Sequence, residues 1–472
     1  MEYILFDVDK IKDYVFDSFK PKEVKGASEL IKCLDYDPET KEAGPLLEKL
    51  IRETGFSEKD VVYSRGGGGL FLVKNGNIET IRQWMEEHYA EYTRSGSLTA
   101  VSHPESNDFP TDFAILGYHL RNRKSEKILG KALEHVEFTE KNRRCDVCGK
   151  RPSEEKPKII GDGEEKVYYC SVCSFKRDFI EKSKGEKNES LEDIITINVK
   201  ESPLLKNVKE TKDILVIYGD LNAAGAHLAA IKDREELKTF SENVFKVLTT
   251  KRREIENELT RQGFKFLMPV VGGDDMIIFT HPAAFDSIKD KLFHIEKALG
   301  DEFTPKKTVK MNFSFLTAKH NFPINHLFNI SEDLLKKTKD AYYNDPKKLT
   351  HYGFFLLWEG DYRPSDKDVY LDENFKTLFE TAKKLHNDPG IHRSSLHTIL
   401  ELLSEKTGAE REMNMEYFLA RHKEFDDYIS YENGTLRLIC GKSIELSKDA
   451  WEDILGMGGL FYKPPAESEE AR

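Results

Sequence analysis

The same order of segments occurs twice in this chain, in residues 1–115 and again in residues 211–360, and that repeat limits what it can fold into. The first copy opens with an apolar strand, YILFDVD (3–9), and a helical stretch that includes KEVKGASELIKCL. Two apolar runs joined by glycines follow, DVVYSRGGGGLFLV (60–73), then a helix, IETIRQWMEEHYAEYT (78–93), and a strand, SLTAVSH (97–103). The second copy has a strand, DILVIYGDLN (213–222), a long charged helical segment and a second glycine-bearing pair of apolar runs, FLMPVVGGDDMIIF (266–279). It closes with a helix, AAFDSIKDKLFHIEKAL (283–299), and a strand, VKMNFSFLTA (309–318). Short apolar runs around glycine predict hairpins, and the longer amphipathic stretches predict helices. The likeness between the copies is one of pattern, not of identity.

Strand–helix–strand–strand–helix–strand is the ferredoxin-like order, so the fold class expected is α+β with two such domains, at 1–115 and 211–360. The chain has 472 residues, too many for one core, and two further regions complete it. Residues 116–210 read as a linker domain, helical at first and then cysteine-bearing and strongly charged. Residues 361–472 read as a small helical domain, and their last stretch, KPPAESEEAR, as a disordered tail. Hydrophobic residues make up 39% and charged residues 33%, a soluble globular composition. The net charge of -12 argues against a general nucleic-acid-coating surface and leaves room for local basic patches. Acidic residues within the first apolar stretch argue against a signal peptide, and no run approaches the roughly 18 apolar residues of a spanning helix. A cytoplasmic location is the expectation.

The two glycine-rich turns differ in one respect. The first is Gly66-Gly67-Gly68-Gly69, and the second is Gly272-Gly273-Asp274-Asp275. In both copies an aspartate ends the first strand, Asp7 and Asp220. In this fold order the first strand lies beside the central hairpin, so Asp220 is expected within reach of Asp274 and Asp275. Three converging carboxylates repel one another unless a cation sits between them. Mg²⁺ or Mn²⁺, shared with substrate phosphates, is the natural partner, and Gly272 and Gly273 let a triphosphate approach the backbone. A duplicated fold with turn carboxylates in one copy suggests one catalytic and one non-catalytic copy. The glycines Gly66 to Gly69 are read as a surface for a ligand's ribose or base. Lys336, Lys337 and Lys339, with Lys347 and Lys348 beyond them, supply cations for triphosphate oxygens, Lys339 foremost. His119, Arg121, Arg123 and Lys124 can meet a nucleic-acid backbone or solvent, and solvent is the preferred reading.

Cys145, Cys148, Cys170 and Cys173 follow the spacing C-x2-C-x21-C-x2-C. Each pair can grip one metal from a tight turn, and four thiolates complete a closed tetrahedral Zn²⁺ site whose role is structural. With no secretory signal, this reading is preferred to a disulfide framework. Cys33 and Cys440 stand alone and read as buried small hydrophobes.

These motifs, in this order, resemble the large, polymerase-like subunit of type III CRISPR effector complexes (the Csm/Cmr class). The resemblance rests on FDVDKIKDYVFDS with KEVKGASELI, YSRGGGGLFLV, the four-cysteine insertion, IYGDLNAAGAHLA, VVGGDDMIIF and MNFSFLTAKHNFPINHLFNISEDLLKKTK, which span most of residues 1–360. It implies two palm domains related to nucleotide cyclases, the second joining ATP molecules through 3′–5′ linkages into cyclic oligoadenylates when target RNA pairs with the guide RNA. It also implies partners, namely the other effector subunits. On this resemblance Asp220, Asp274 and Asp275 hold the metals, and Leu221, Asn222 and Lys339 lie at the nucleotide. Many members begin with a nuclease domain that carries a His-Asp motif. This sequence contains no His-Asp dipeptide, so DNA cleavage is not expected of it. Asn222 stands where relatives often carry another acid. The alternatives are a different adenylate signal, such as an S-adenosylmethionine–AMP conjugate or a cyclic dinucleotide, and a nucleotide-binding scaffold without turnover.

Overall fold

Strand β1 (Glu2–Asp9) alternates its side chains between two faces, and both faces are covered. Ile4, Phe6 and Val8 enter one core, Tyr3 and Leu5 another. The computed structural model describes the chain except residues 38–39, 75–76, 131–142, 155, 161–164, 184–189, 198–204, 206–207, 209–210, 223, 270–272, 303–308, 346, 348–349, 357–368, 405–408, 433–434, 440–443, 458–459 and 461–472. After β1 come α1 (Ile11–Val15), α2 (Pro21–Leu30), β2 (Tyr36–Asp37), β3 (Glu42–Ala43) and α3 (Pro45–Thr54). Then follow β4 (Val61–Arg65), β5 (Gly68–Val73), α4 (Ile78–Thr93), β6 (Ser97–Pro104) and α5 (Phe109–Gly130). The helices begin where local chemistry starts them. Pro21 and Pro45 open α2 and α3, and the Asn77 side chain accepts the Thr80 N–H at the start of α4. The sheet order is β4-β5-β1-β6, with β1 antiparallel to both neighbours, which is the ferredoxin-like strand order.

The cysteine-bearing segment holds β7 (Lys158–Ile160), β8 (Glu165–Val167), α6 (Ser171–Ser183) and α7 (Leu191–Ile195). The second large sheet follows, with β9 (Asp213–Asn222), α8 (Ala224–Ala229), α9 (Arg234–Gln262), β10 (Phe266–Leu267), β11 (Met276–Thr280), α10 (Phe285–Phe293) and α11 (Ile295–Glu302). It continues through β12 (Lys310–Lys319), α12 (Ile324–Asn344), β13 (His351–Leu356) and β14 (Val369–Leu371). Its order is β10-β11-β9-β12-β13-β14. The first four strands repeat the order of the first sheet, and β13 adds parallel to β12.

The segment after each first strand crosses to the other unit. Tyr14, Val15 and Phe16 of α1 and its end, with Val24 and Ala27 of α2, share a core with Ile214, Val216 and Tyr218 of β9 and with α12. Phe16 stacks on Phe328 at 4.0 Å between ring centroids. Reciprocally, Leu228, Ile231 and Leu237, after β9, pack against Tyr3 and Leu5 of β1 and Phe109 and Leu116 of α5. The two units thus face one another in a pseudo-symmetric pair.

The second sheet runs past residue 360, since β14 pairs with β13. Phe375 and Phe379 of α13 (Asp372–Asn387) join its core with Phe285, Phe315 and Tyr352. Beyond lie α14 (Arg393–Ser404), α15 (Ala409–Arg421), β15 (Ile429–Glu432), β16 (Thr435–Leu438), β17 (Ile444–Glu445) and α16 (Lys448–Met457). The helical reading of this region needs correction, because β15, β16 and β17 form an antiparallel sheet. Ile429, Leu436 and Leu438 are its buried positions, and Asn433-Gly434 is a hairpin signal in the sequence. The terminal KPPAESEEAR lies outside the described residues.

Candidate active site

Tyr218 and Asp220 share one face of β9 because they are two residues apart. Met276 of β11 stands opposite Gly219, so Asp275, one residue earlier, arrives beside Asp220. One carboxylate oxygen from each of Asp220, Asp274 and Asp275 lies within 4.8 Å of the others. Charges so close repel by on the order of 3 kcal/mol per pair at an effective dielectric of roughly 20. Burial, then Asp220 and Asp274, push the Asp275 carboxyl up to about 8. Burial and Asp274 likewise raise Asp220 against the pull of Lys339. An ammonium group from each unit offsets this repulsion. Lys339 of α12 pairs with Asp220. Lys12 of α1 lies 3.9 Å from Asp275 Oδ2 and 3.0 Å from Glu332 Oε1. The Tyr218 hydroxyl donates to Asp275 Oδ1 at 2.9 Å. An oxygen-only donor set of three clustered carboxylates fits Mg²⁺ or Mn²⁺.

The two apolar runs of the expected hairpin pair antiparallel as β10 and β11, Phe266 opposite Thr280 and Leu267 opposite Phe279. Strand β10 ends at Leu267, and the Met268 carbonyl accepts from Arg252 of α9 and, at 3.5 Å, from Lys25 of α2. Those cations take an acceptor that a longer ladder would use. Gly272 lies outside the described residues, with Val270 and Val271. At Gly273 a Cβ would meet no heavy atom within 4 Å, so the backbone is open there. Gly273 and Asp275 line a cavity of about 340 Å³ together with Gly66 of the other hairpin and the cations Lys25, Lys32, Arg252 and Arg253.

The glycines of the first hairpin have reasons within the fold. Gly66 and Gly67 have φ of 61° and 86°, the left-handed conformation of a two-residue hairpin turn. A Cβ on Gly69 would lie 2.5 Å from the Phe6 ring and 2.8 Å from the Tyr63 carbonyl oxygen. One on Gly68 would lie 3.3 Å from Asp7 Oδ1. Of the four, Gly66 is the one that lines the cavity. Lys124, read as facing solvent, instead bonds Asp7 at 2.5 Å and lies 3.5 Å from Asp9. Arg123 bonds Glu86 at 3.0 Å.

In structure the chain matches Csm1 of T. onnurineus with a TM-score of 0.60 at 14% identity, over 97% of this chain and 69% of that one. A Csm1–Csm4 cassette in complex with cA4 gives 0.58 at 13%, over 98% and 70%. The cassette in complex with one ATP gives 0.53 at 14%, over 90% and 64%. The chain has the fold of Csm1. No protein-family model matches it, and no curated protein does so by sequence. The Csm1-like fold agrees with the resemblance carried by the motifs.

Within this Csm1-like fold the remaining residues separate by position. Leu221 is buried in the core, and Asn222 is fully buried with its amide donating to Asn312 Oδ1 at 2.7 Å. Lys336 pairs with Asp333 and Glu332 on its own helix, and Lys348 lies outside the described residues. Sequence reasoning missed Lys12, Tyr218 and Glu332. Tyr218 carried a signal, two residues before Asp220 on a strand; Lys12 carried none, because its site belongs to the other unit.

Cys145, Cys148, Cys170 and Cys173 are buried with their Sγ atoms within 4.8 Å of one another. Cys148 and Cys170 Sγ are 3.9 Å apart, far beyond the roughly 2.05 Å of a disulfide. The Cys170 N–H donates to Cys145 Sγ at 3.2 Å and the Cys173 N–H to Cys170 Sγ at 3.4 Å, contacts that favour thiolates. The donor set fits Zn²⁺. Cys440 lies outside the described residues, and Cys33 is buried.

Proposed function

We propose that this chain is the nucleotidyltransferase subunit of a type III CRISPR effector complex, converting ATP to cyclic oligoadenylates with release of pyrophosphate. The observation that carries the reading is the cluster of Asp220, Asp274 and Asp275, of which Asp275 lines a cation-bearing cavity shared by the two units. It is supported by the Csm1-like fold, whose solved examples hold ATP, pppApA and cA4. In this reading the two units are palm domains and the second is catalytic.

Mg²⁺ or Mn²⁺ held by Asp220, Asp274 and Asp275 would make a ribose hydroxyl more acidic and stabilise the leaving pyrophosphate. The residues of the chain do the rest. Gly273 leaves room for the triphosphate, and Lys339 turns from Asp220 to a phosphate oxygen. Gly66 and the cavity wall hold the second nucleotide so that its 3′-oxygen faces the α-phosphorus of the first. That oxygen bonds to the α-phosphorus, the bond to the β-phosphate oxygen breaks, and the hydroxyl proton passes to solvent. Among the described residues, no side chain near the triad is assigned as a general base. Zn²⁺ at the four cysteines is structural. The other effector subunits, guide RNA and target RNA are the partners, and the cytoplasm is the location.

The test is incubation of the assembled complex with labelled ATP, Mn²⁺ and target RNA, the products read by mass spectrometry. Adenylates with 3′–5′ linkages from the wild type, absent from a D274A/D275A double variant, support the proposal. Identical products from both would sink it. A conjugate with S-adenosylmethionine would move the chain to the alternative chemistry.

A further inference from the structure

The acid triad faces two ammonium groups, and one of them is not part of its own unit. Lys12 comes from α1, crosses to the second sheet, and places Nζ 3.9 Å from Asp275 Oδ2, 3.0 Å from Glu332 Oε1 and 5.2 Å from the centre of the Tyr218 ring. We infer that Lys12 is a triphosphate-binding residue of the second unit's site, contributed in trans by the first unit. The inference rests on the nucleotidyltransferase reading and adds a residue to it.

Holding the two units together does not account for this lysine. Its ion pair with Glu332 is partly exposed, 31% and 26% by side chain, and such pairs stabilise by about 1 kcal/mol at most. The crossing of α1 is secured without it, by the burial of Tyr14, Val15 and Phe16 and by the Phe16–Phe328 stack. What Lys12 supplies is charge at the rim of the triad, mirrored by Lys339 on Asp220. A divalent cation that takes over the carboxylates releases both ammonium groups to the next anion, which is the polyphosphate. Glu332 is the second resting partner that Lys12 leaves.

The test measures binding of α,β-methylene-ATP and of adenosine to the full chain by calorimetry, with and without Mg²⁺. The variants are K12M, K12R, E332Q and D275A. K12M is expected to weaken the Mg²⁺-dependent binding of the analogue roughly tenfold or more and to leave adenosine unchanged. K12R retains most of the affinity, and E332Q loses none, since the cation remains. Equal analogue affinity in K12M and wild type overturns the inference. So does a parallel loss of analogue and adenosine, or a loss in E332Q as large as in K12M. Wild-type binding indifferent to both Mg²⁺ and D275A overturns the parent reading and Lys12 with it. Binding that needs both while K12M is silent overturns Lys12 alone.

Discussion

Asp7 and Asp220 occupy equivalent places in the two sheets and meet different neighbours. Asp7 stands opposite Gly68 and is held by Lys124, whereas Asp220 has Asp275 beside it and Lys339 upon it. The sequence comparison of GGGG with GGDD therefore marks the copy that holds the carboxylate cluster, because the difference lies in residue type at matched positions. What it could not tell was why the glycines are there. At Gly69 the cause is lack of room, at Gly66 and Gly67 backbone conformation, at Gly273 open space. Gly69→Ala is expected to destabilise the chain by about 1–3 kcal/mol in urea titration, from overpacking against Phe6 and Tyr63. Gly273→Ala is expected to leave the midpoint where it is. Asp35 gives a prediction in pH. Burial raises its carboxyl from 3.8 to about 7, against the pull of Lys32 and Arg65. An acid with a raised folded pKa takes up a proton on folding, so its contribution is fully present below its unfolded value and is lost as pH rises to about 7. Asp35→Asn removes that loss. Its melting temperature should exceed the wild type's by more at pH 8 than at pH 5, and an equal margin at both would show that Asp35 is not buried with its charge.

Among the elements, the cysteine segment is tied to the first unit by contacts that no spacing rule reveals. A Cβ on Gly26 of α2 would lie 2.1 Å from the Lys176 carbonyl oxygen of α6, so the two helices meet backbone to side. Lys176 Nζ donates to the Tyr14 carbonyl at 2.7 Å, and Arg151, 3.8 Å from Cys148 Sγ, also pairs with Asp17 at 2.5 Å. The small core of this segment contains the four cysteines themselves, so a metal bound there would be inseparable from the packing. Stripping the metal with a strong chelator is expected to raise amide exchange across β7, β8 and the start of α6 while β9, β11 and β12 stay protected. Unchanged exchange after verified metal loss would deny the cluster its structural role. Element type was legible wherever a period ran long, as in α4, α9 and α12. It failed where a local rule met a distant partner. β10 is cut short by Arg252 and Lys25, and the β15–β17 sheet follows a hairpin signal that helical neighbours masked.

At the scale of the molecule, the sequence repeat predicts two like units but not how they meet. Periodicity reports which face of a helix is apolar; it does not report whose sheet that face covers. In this chain the segment after each first strand covers the other unit, so the acid triad of the second is completed by Lys12 of the first and by a cavity that Gly66 also lines. The same arrangement makes any shift between the units a shift at the triad. In the proposed reaction Asp220, Asp274 and Asp275 together hold the divalent cation beside the nucleotide. Crystals soaked with Mn²⁺ and α,β-methylene-ATP test it through the anomalous signal of manganese. The expected result is density bonded to oxygens of all three carboxylates, with the triphosphate against it and Lys339 turned to a phosphate. Nucleotide bound in the cavity with no manganese among these three carboxylates would contradict it.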